Sequence, residues 1–233
     1  MIKNSIDPMK RYFPVIDHSF SIKEVAFQHI KRQIIEGNLK PGIWLREQDL
    51  ADAMQISRAP IREAFNQLER EGFIEIVPRK GAKVISLSEK EVEDIFEIRE
   101  TLESLAIQKS LQNIPLDRLD QIAKKFEQFN LKAIEKNNRL NYLVLDKQLH
   151  DLLIQRCDNN MLIKLLASIQ EKVHWLRGFS LDTHSFSQSI EEHLAIIHAI
   201  QIKNEKLVLS NLVRHLERAK ESIISEIKTG HIS

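Results

Sequence analysis

The chain has 233 residues, with 34 Lys and Arg against 33 Asp and Glu, 42% hydrophobic side chains and 6% aromatic ones. That length supports one large or two ordinary hydrophobic cores, and that composition excludes a disordered or fibrous chain. The lone Cys157 excludes an internal disulfide, no N-terminal run has the order of a secretory signal, and no apolar run nears the roughly 20 residues of a membrane span, so a cytoplasmic protein is expected.

Helix breakers are concentrated early. Pro8, Pro14, Pro41, Pro60 and Pro78, with Gly37, Gly42, Gly72 and Gly81, all fall within the first 81 residues. From residue 88 onward the pattern changes to long apolar stripes of helical period, and seven of the nine histidines lie at or after position 150. Three segments are expected: an extension over 1–19, a first domain over 20–86 and a second over 87–233. The first 86 residues hold 14 basic and 11 acidic side chains. That excess is too small to carry a nucleic-acid argument, so the placement of individual arginines has to.

In the first domain, Val25, Ile30 and Ile34, with Ala26 and Phe27 beside them, give one helix an apolar face, and Gly37 is a stop before Pro41 and Gly42. A second short helix is expected from Leu45 to Met54. Ser57 is placed to cap a third that reaches Glu71. There, Ile61, Phe65 and Leu68 recur at helical spacing and face inward, which turns Arg58 and Arg62 outward. Pro60 is tolerated in the first turn, where amides lack intrahelical acceptors and favour a phosphate. Gly72 ends the helix, and Phe73 to Val77 and Ala82 to Ser86 alternate as two strands joined by Pro78, Arg79, Lys80 and Gly81. The order is that of a winged helix-turn-helix with a basic hairpin tip. The plainer alternative is a helical bundle with an incidental hairpin.

The stretch ISRAPIREAFNQLEREGFIEIVPRKGAKV, with the preceding LREQDLADAM, resembles the DNA-binding domain of the GntR family of bacterial transcription regulators. The resemblance implies that Ser57, Arg58, Ala59, Pro60 and Arg62 meet DNA from the recognition helix and that Arg79, Lys80 and Gly81 form the wing tip. Gln48 departs from the arginine with which some members of the fatty-acid-responsive branch touch DNA. Arg46 stands close enough in sequence to compensate in part.

The second domain is expected to be all-helical. Ser88 and Glu91 form a capping box ahead of a helix to about Ser110. Further helices are expected over 117–136, 140–156, 161–178, 186–202 and 206–228, with breaks at Asn137-Asn138 and Asp158-Asn159. No phosphate loop, dinucleotide fingerprint or nucleophile elbow occurs. Asp146 and His150, at i and i+4, share one helix face, the spacing of a chelating pair and equally of two ordinary surface groups. Antiparallel packing can bring later histidines to them, but His174, His184, His193, His198 and His215 are all available, and spacing does not choose among them.

Residues 90 to 228 resemble the FCD ligand-binding domain, of the shorter VanR-like branch because six helices rather than seven are read. That resemblance selects Asp146, His150, His193 and His215 as metal ligands and Arg99 as the partner of an effector carboxylate. Three imidazoles and one carboxylate suit Zn²⁺, with Ni or Mn as alternatives. The other reading of Arg99 is an exposed salt bridge with Glu103 on a solvated face. The expectation is a mainly α protein, a winged helix-turn-helix followed by an antiparallel helical FCD bundle. It would act as a homodimer on a pseudo-palindromic operator, controlled by a small organic acid bound near a divalent metal, with Ser86 to Ser88 as hinge. Two alternatives stand beside it. In one the metal itself is the signal; in the other the bundle is a metal-dependent enzyme with Glu191 or Glu192 as base.

Overall fold

A computed structural model of the chain describes residues 21–129, 136–180 and 183–230. The expected extension over 1–19 lies outside them. The described residues divide into two compact units that meet in sequence at Ser86 and Leu87.

The first unit is built from α1 (Ile22–Ile35), β1 (Trp44–Leu45), α2 (Glu47–Met54), α3 (Arg58–Arg70), β2 (Ile74–Val77) and β3 (Gly81–Val84). Ala26, Phe27, Ile30 and Ile34 of α1 are buried, as are Ile61, Phe65 and Leu68 of α3, and these two helices pack on each other. Gly37, at φ 72°, closes α1 in the left-handed conformation. Gln55, at φ 55°, makes the tight turn between α2 and α3, a conformation that a non-glycine residue adopts less readily. The sheet has the order β1-β3-β2, antiparallel throughout, with Leu45 opposite Ala82 and Ile76 opposite Ala82 on the other edge.

Leu45 therefore does not begin the second helix. It is fully buried in a two-residue strand, and α2 starts only at Glu47. The strand is too short to show an alternation, so its pairing is set by the edge of β3 rather than by local pattern. Ser57 occupies the N-cap position of α3 with extended backbone, but its hydroxyl makes no capping bond.

The second unit holds six α-helices among the described residues: α4 (Glu89–Ser110), α5 (Leu116–Glu127), α6 (Lys136–Ile154), α7 (Asn160–Ser180), α8 (Thr183–Gln201) and α9 (Glu205–Lys228). The capping box forms in full: Ser88 accepts from the Glu91 amide at 3.3 Å, and Glu91 accepts from the Ser88 amide at 2.8 Å. Asn159 caps α7 through the Leu162 amide, and Asn204 caps α9 through the Leu207 amide. α4 and α9 lie against each other, with α7 touching both and α6 beside α4 and α7.

Two boundaries differ from expectation. α5 ends at Glu127 rather than at 136, where residues 130–135 lie outside the described set. Asn137 and Asn138 do not break a helix but sit in the first turn of α6.

Candidate functional site

In the N-terminal unit, a groove of about 540 Å³ runs between α3 and the β2–β3 hairpin, with Arg46, Arg58, Arg62, Arg79, Lys80 and Gly81 along it. It thus gathers every cationic residue expected to meet DNA. Ser57 and Ala59 are exposed at the start of α3 and Pro60 is half-buried beside them. Gln48 and Asn66 also line the groove, and the sequence offered no signal for Asn66. Gln48 donates to Asp52 at 2.8 Å along its own helix.

Arg62 is not idle. Its Nε and Nη2 each donate to one oxygen of Glu47 at 2.9 Å, a two-point bond that holds the Glu47 carboxyl below its ordinary range. Gly81 has a structural task. At φ 111°, a Cβ there would lie 2.6 Å from the Leu45 carbonyl oxygen, so β1 can pair with β3 only if this position lacks a side chain.

In the C-terminal unit, Asp146 and His150 of α6, His193 of α8 and His215 of α9 converge, with one ligand atom from each lying within 4.8 Å of all the others. All four are buried; His193 and His215 have no exposure at all. The imidazole centroids of His193 and His215 are 4.4 Å apart, and that of His150 lies 5.7 Å and 5.5 Å from them.

The surroundings fix how each ring faces. His150 donates from Nδ1 to Glu103 at 3.0 Å, and His215 from Nδ1 to Glu192 at 2.9 Å. His193 has its Nδ1 3.4 Å from the Tyr142 hydroxyl and its Nε2 3.3 Å from Asp146. Each Nδ1 is thereby directed at a partner on the outer side of the cluster. The Nε2 atoms of His193 and His215 are buried without a hydrogen-bond partner. An imidazole whose Nδ1–H is held by a carboxylate or hydroxyl partner, with its Nε2 lone pair left available, is what a metal ligand needs. The residues present therefore fit a divalent transition ion.

Electrostatics agrees. Burial pushes His193 down to about 4, against the pull of Asp146, and pushes His215 well below its ordinary value, with the neighbouring histidines adding to the effect. Both rings are neutral at pH 7, the form that ligates. Burial would raise Asp146, but the Arg177 guanidinium and His193 hold it well below the carboxylate range. Arg177 in turn donates to Ser189 at 3.0 Å and to Tyr142 at 3.3 Å. Burial pushes the Tyr142 hydroxyl up to about 12, so it stays protonated and donates to Ser189 at 2.5 Å.

Arg99 lies inside this shell and not on a solvated face. It is 2% exposed, donates from Nε to Glu103 at 2.7 Å and brings Nη2 to 3.4 Å from both nitrogens of His150. The salt bridge with Glu103 exists, but it is buried because α4 turns that face toward α6. Burial would raise Glu103, yet Arg99 and His150 hold it down to about 2.

Of the other candidate histidines, His198 is exposed and His174 is half-buried beside a neighbouring cavity, and the side chain of His184 lies outside the described residues. Neither imagined base faces the ligand atoms. Glu191 is exposed, and Glu192 spends both oxygens behind His215, on that ring and on Arg218 at 2.6 Å. Sequence reasoning missed Arg177 and Tyr142 and considered Glu192 only as a base, because these roles depend on helix facing.

A regulator is the class these parts define: a basic winged helix-turn-helix joined to a helical bundle with an internal ligand cluster. Residues 22–84 match the family of bacterial regulatory proteins called gntR, and residues 94–218 match the FCD domain. The chain belongs to the GntR family of DNA-binding transcriptional regulators, in the group that carries a C-terminal FCD domain. It is 28% identical to the HTH-type transcriptional regulator YdhC of Bacillus subtilis, over 88% of this chain and 92% of that one. It is 26% identical to the HTH-type transcriptional repressor RspR of Escherichia coli K12, over 87% and 89%. These relatives are regulators, not enzymes. By fold it is similar to E. coli McbR/YncC, with a TM-score of 0.74 at 18% identity over 89% of this chain and 99% of that one. It is also similar to the Zn²⁺-bound FCD domain of TM0439, with a TM-score of 0.54 at 21% identity over 62% and 99%. Among the described residues, no helix is long and apolar enough to cross a membrane.

Proposed function

We propose that this regulator binds a pseudo-palindromic operator as a homodimer and that a small organic acid, captured beside a divalent metal in the bundle, controls its affinity for DNA. Two copies of α3 present Arg58 and Arg62 to major-groove base edges from beside an anion-favouring helix N-terminus, while Arg79 and Lys80 reach the backbone from the wing. Gly81 shapes that wing, and Arg46 adds a cation at the rim of the groove.

The metal is held by Asp146, His150, His193 and His215, with Zn²⁺ as the leading candidate on donor chemistry and Ni²⁺ or Mn²⁺ as alternatives. Bound there, it supplies an open Lewis-acidic position for an oxygen donor. The observation that carries this reading is the convergence of four buried ligand atoms, with Nε2 of His215 lacking a hydrogen-bond partner and Nε2 of His193 meeting only Asp146 of the same cluster. The bundle's charge points to an acid as the further ligand. Asp146, Glu103 and Glu192 are each already paired with an arginine, Arg177, Arg99 and Arg218 respectively. A divalent ion therefore adds positive charge that this shell does not offset, and an anion beside Arg99 offsets it.

Ligand and DNA communicate through the segment Ser86 to Ser88, to the extent that the acid prefers one dimer conformation, typically by about 1–3 kcal/mol. The test is elemental analysis and native mass spectrometry of wild type and His193→Ala, followed by operator titration with and without metal. One transition ion per chain, absent from the variant, is expected. Equal metal content in both would remove the site, and operator affinity that follows the metal with no acid present would make the metal the signal.

A further inference from the structure

α4 turns Arg99, Glu103 and Ala106 to the interior, so its opposite face would ordinarily be polar. Instead Ile98 and Leu105 stand there two turns apart on one stripe, with half-buried Leu102 between them. α7 widens the patch. Its Leu162 and Leu166 pack with Leu102 and Ala106. Farther along, its Lys172 lies close enough to Glu91 to help the Ser88 capping bonds hold that carboxyl below its ordinary range, so α7 runs antiparallel to α4. Met161 and Leu165 stand outward on this N-terminal part of α7, and together with Ile98 and Leu105 they are between 41% and 68% exposed. Apolar side chains exposed singly are ordinary, but four on two adjacent helices make a face that calls for a cover.

Charge indicates what covers it. The outer side of α4 carries Glu91, Glu93, Asp94 and Glu97 against Lys90 in its N-terminal half, whereas the exposed charge of its C-terminal half is Lys109, with Lys164 of α7 next to Leu165. The stripe is also symmetric about its middle. Ile98 and Leu105 stand equally far from the point between Thr101 and Leu102, and so do Asp94 and Lys109. A surface with that property complements itself across a two-fold axis. Laid antiparallel on a second copy, α4 sets Ile98 against Leu105 of that copy and Asp94 against its Lys109, each contact being made twice. Laid parallel, it would set acid against acid. Asp94 already meets Lys90 one turn away, an exposed pair that exchanges at little cost.

We propose that the outer face of α4, flanked by Met161 and Leu165 of α7, is where a second copy of this chain docks, antiparallel across a two-fold axis near Thr101 and Leu102. The inference rests on the homodimer proposed above and deepens it by naming the face and the pairing. Ile98 and Leu105 supply the apolar centre, and Asp94 and Lys109 fix the direction.

The test is sedimentation equilibrium of the full chain, wild type and variants, with circular dichroism to confirm that each variant is folded. Wild type is expected to be a dimer at micromolar concentration. Ile98→Glu is expected to weaken it about a hundredfold or more, because one substitution places an unpaired charge at the centre of the interface twice. Leu105→Glu carries the same test if that variant fails to fold. Asp94→Lys and Lys109→Glu, which each oppose like charges, are expected to weaken the dimer about tenfold, and the double variant to return to within about threefold of wild type. A role for these two residues within one copy would give no such rescue. A wild type that stays monomeric removes the homodimer and this face together. A dimer that withstands both Ile98→Glu and Leu105→Glu leaves the homodimer standing and overturns this face. Single charge reversals without effect, or not rescued by the double, overturn the antiparallel pairing.

Discussion

The two units of this protein handle charge in opposite ways. The N-terminal groove keeps Arg58, Arg79 and Lys80 exposed, and even the two-point Arg62–Glu47 bond leaves the arginine side chain 64% exposed. In the C-terminal bundle, Arg99 and Arg177 are each 2% exposed and locked to carboxylates. Exposed pairs are weak and exchange readily, which suits cations that must trade partners for phosphates. Buried pairs are expensive to break and hold geometry, which suits a cluster whose ligands must be aimed before any ion arrives.

Breaking the buried side has the largest expected effect. Arg177→Met strands Asp146 in the interior, and an uncompensated buried charge costs about 3–5 kcal/mol. Denaturant unfolding of the metal-free protein should show that loss in the C-terminal unit, and added zinc should restore part of it by offsetting the same carboxylate. Next, Glu192→Gln keeps the fold but weakens the orientation of His215, so zinc affinity measured by chelator competition should fall about tenfold to a hundredfold with stoichiometry unchanged.

Acidification probes the same contrast. In the unfolded chain His193 takes up a proton near about 6.5, whereas in the folded one burial holds it at about 4. A depressed histidine means that the unfolded state binds more protons between those values. Stability of the metal-free bundle should therefore fall as pH drops through that window, by up to about 1.4 kcal/mol per pH unit from this residue. A flat pH profile from 7 to 4 would contradict the burial of the ring.

On the exposed side, Arg58→Ala should weaken operator binding about tenfold to a hundredfold in a gel-shift or anisotropy titration while leaving metal content and melting temperature unchanged. The smallest effect is expected at Glu47→Gln, which releases Arg62 from its bond. Stability should hardly change, and a shift in the salt dependence of DNA binding would show whether Glu47 restrains that arginine or merely rests on it.

Much of the first unit was legible because its signals are local. The spacing of Ile61, Phe65 and Leu68 fixes which face of α3 is buried and therefore where Arg58 and Arg62 point. Ser88 with Glu91 announces α4 within four residues. Leu45 was misread because a two-residue strand carries no period and its partner lies nearly forty residues later. The metal quartet was named from resemblance and not from spacing, since nothing within α8 or α9 distinguishes His193 and His215 from His198. Arg99 shows the limit most clearly. Its pairing with Glu103 follows from a four-residue offset, but whether that face meets water or α6 is decided by packing. Arg177 was invisible for the same reason: its meaning depends on how α7 is rotated against α4 and α6.

The near-complete burial of the four ligand side chains has a kinetic consequence. An ion seated among Asp146, His150, His193 and His215 would be almost wholly covered by protein, so the parting of α6, α8 and α9 would gate its departure. Local opening of packed helices, not the strength of the coordinate bonds, then sets the residence time. Stripping by an excess of chelator should proceed at a rate that does not depend on chelator concentration. On that view an ion, once bound, is a long-lived tenant of each molecule, and a signal that changes on a shorter timescale has to come from something other than the ion's arrival and departure.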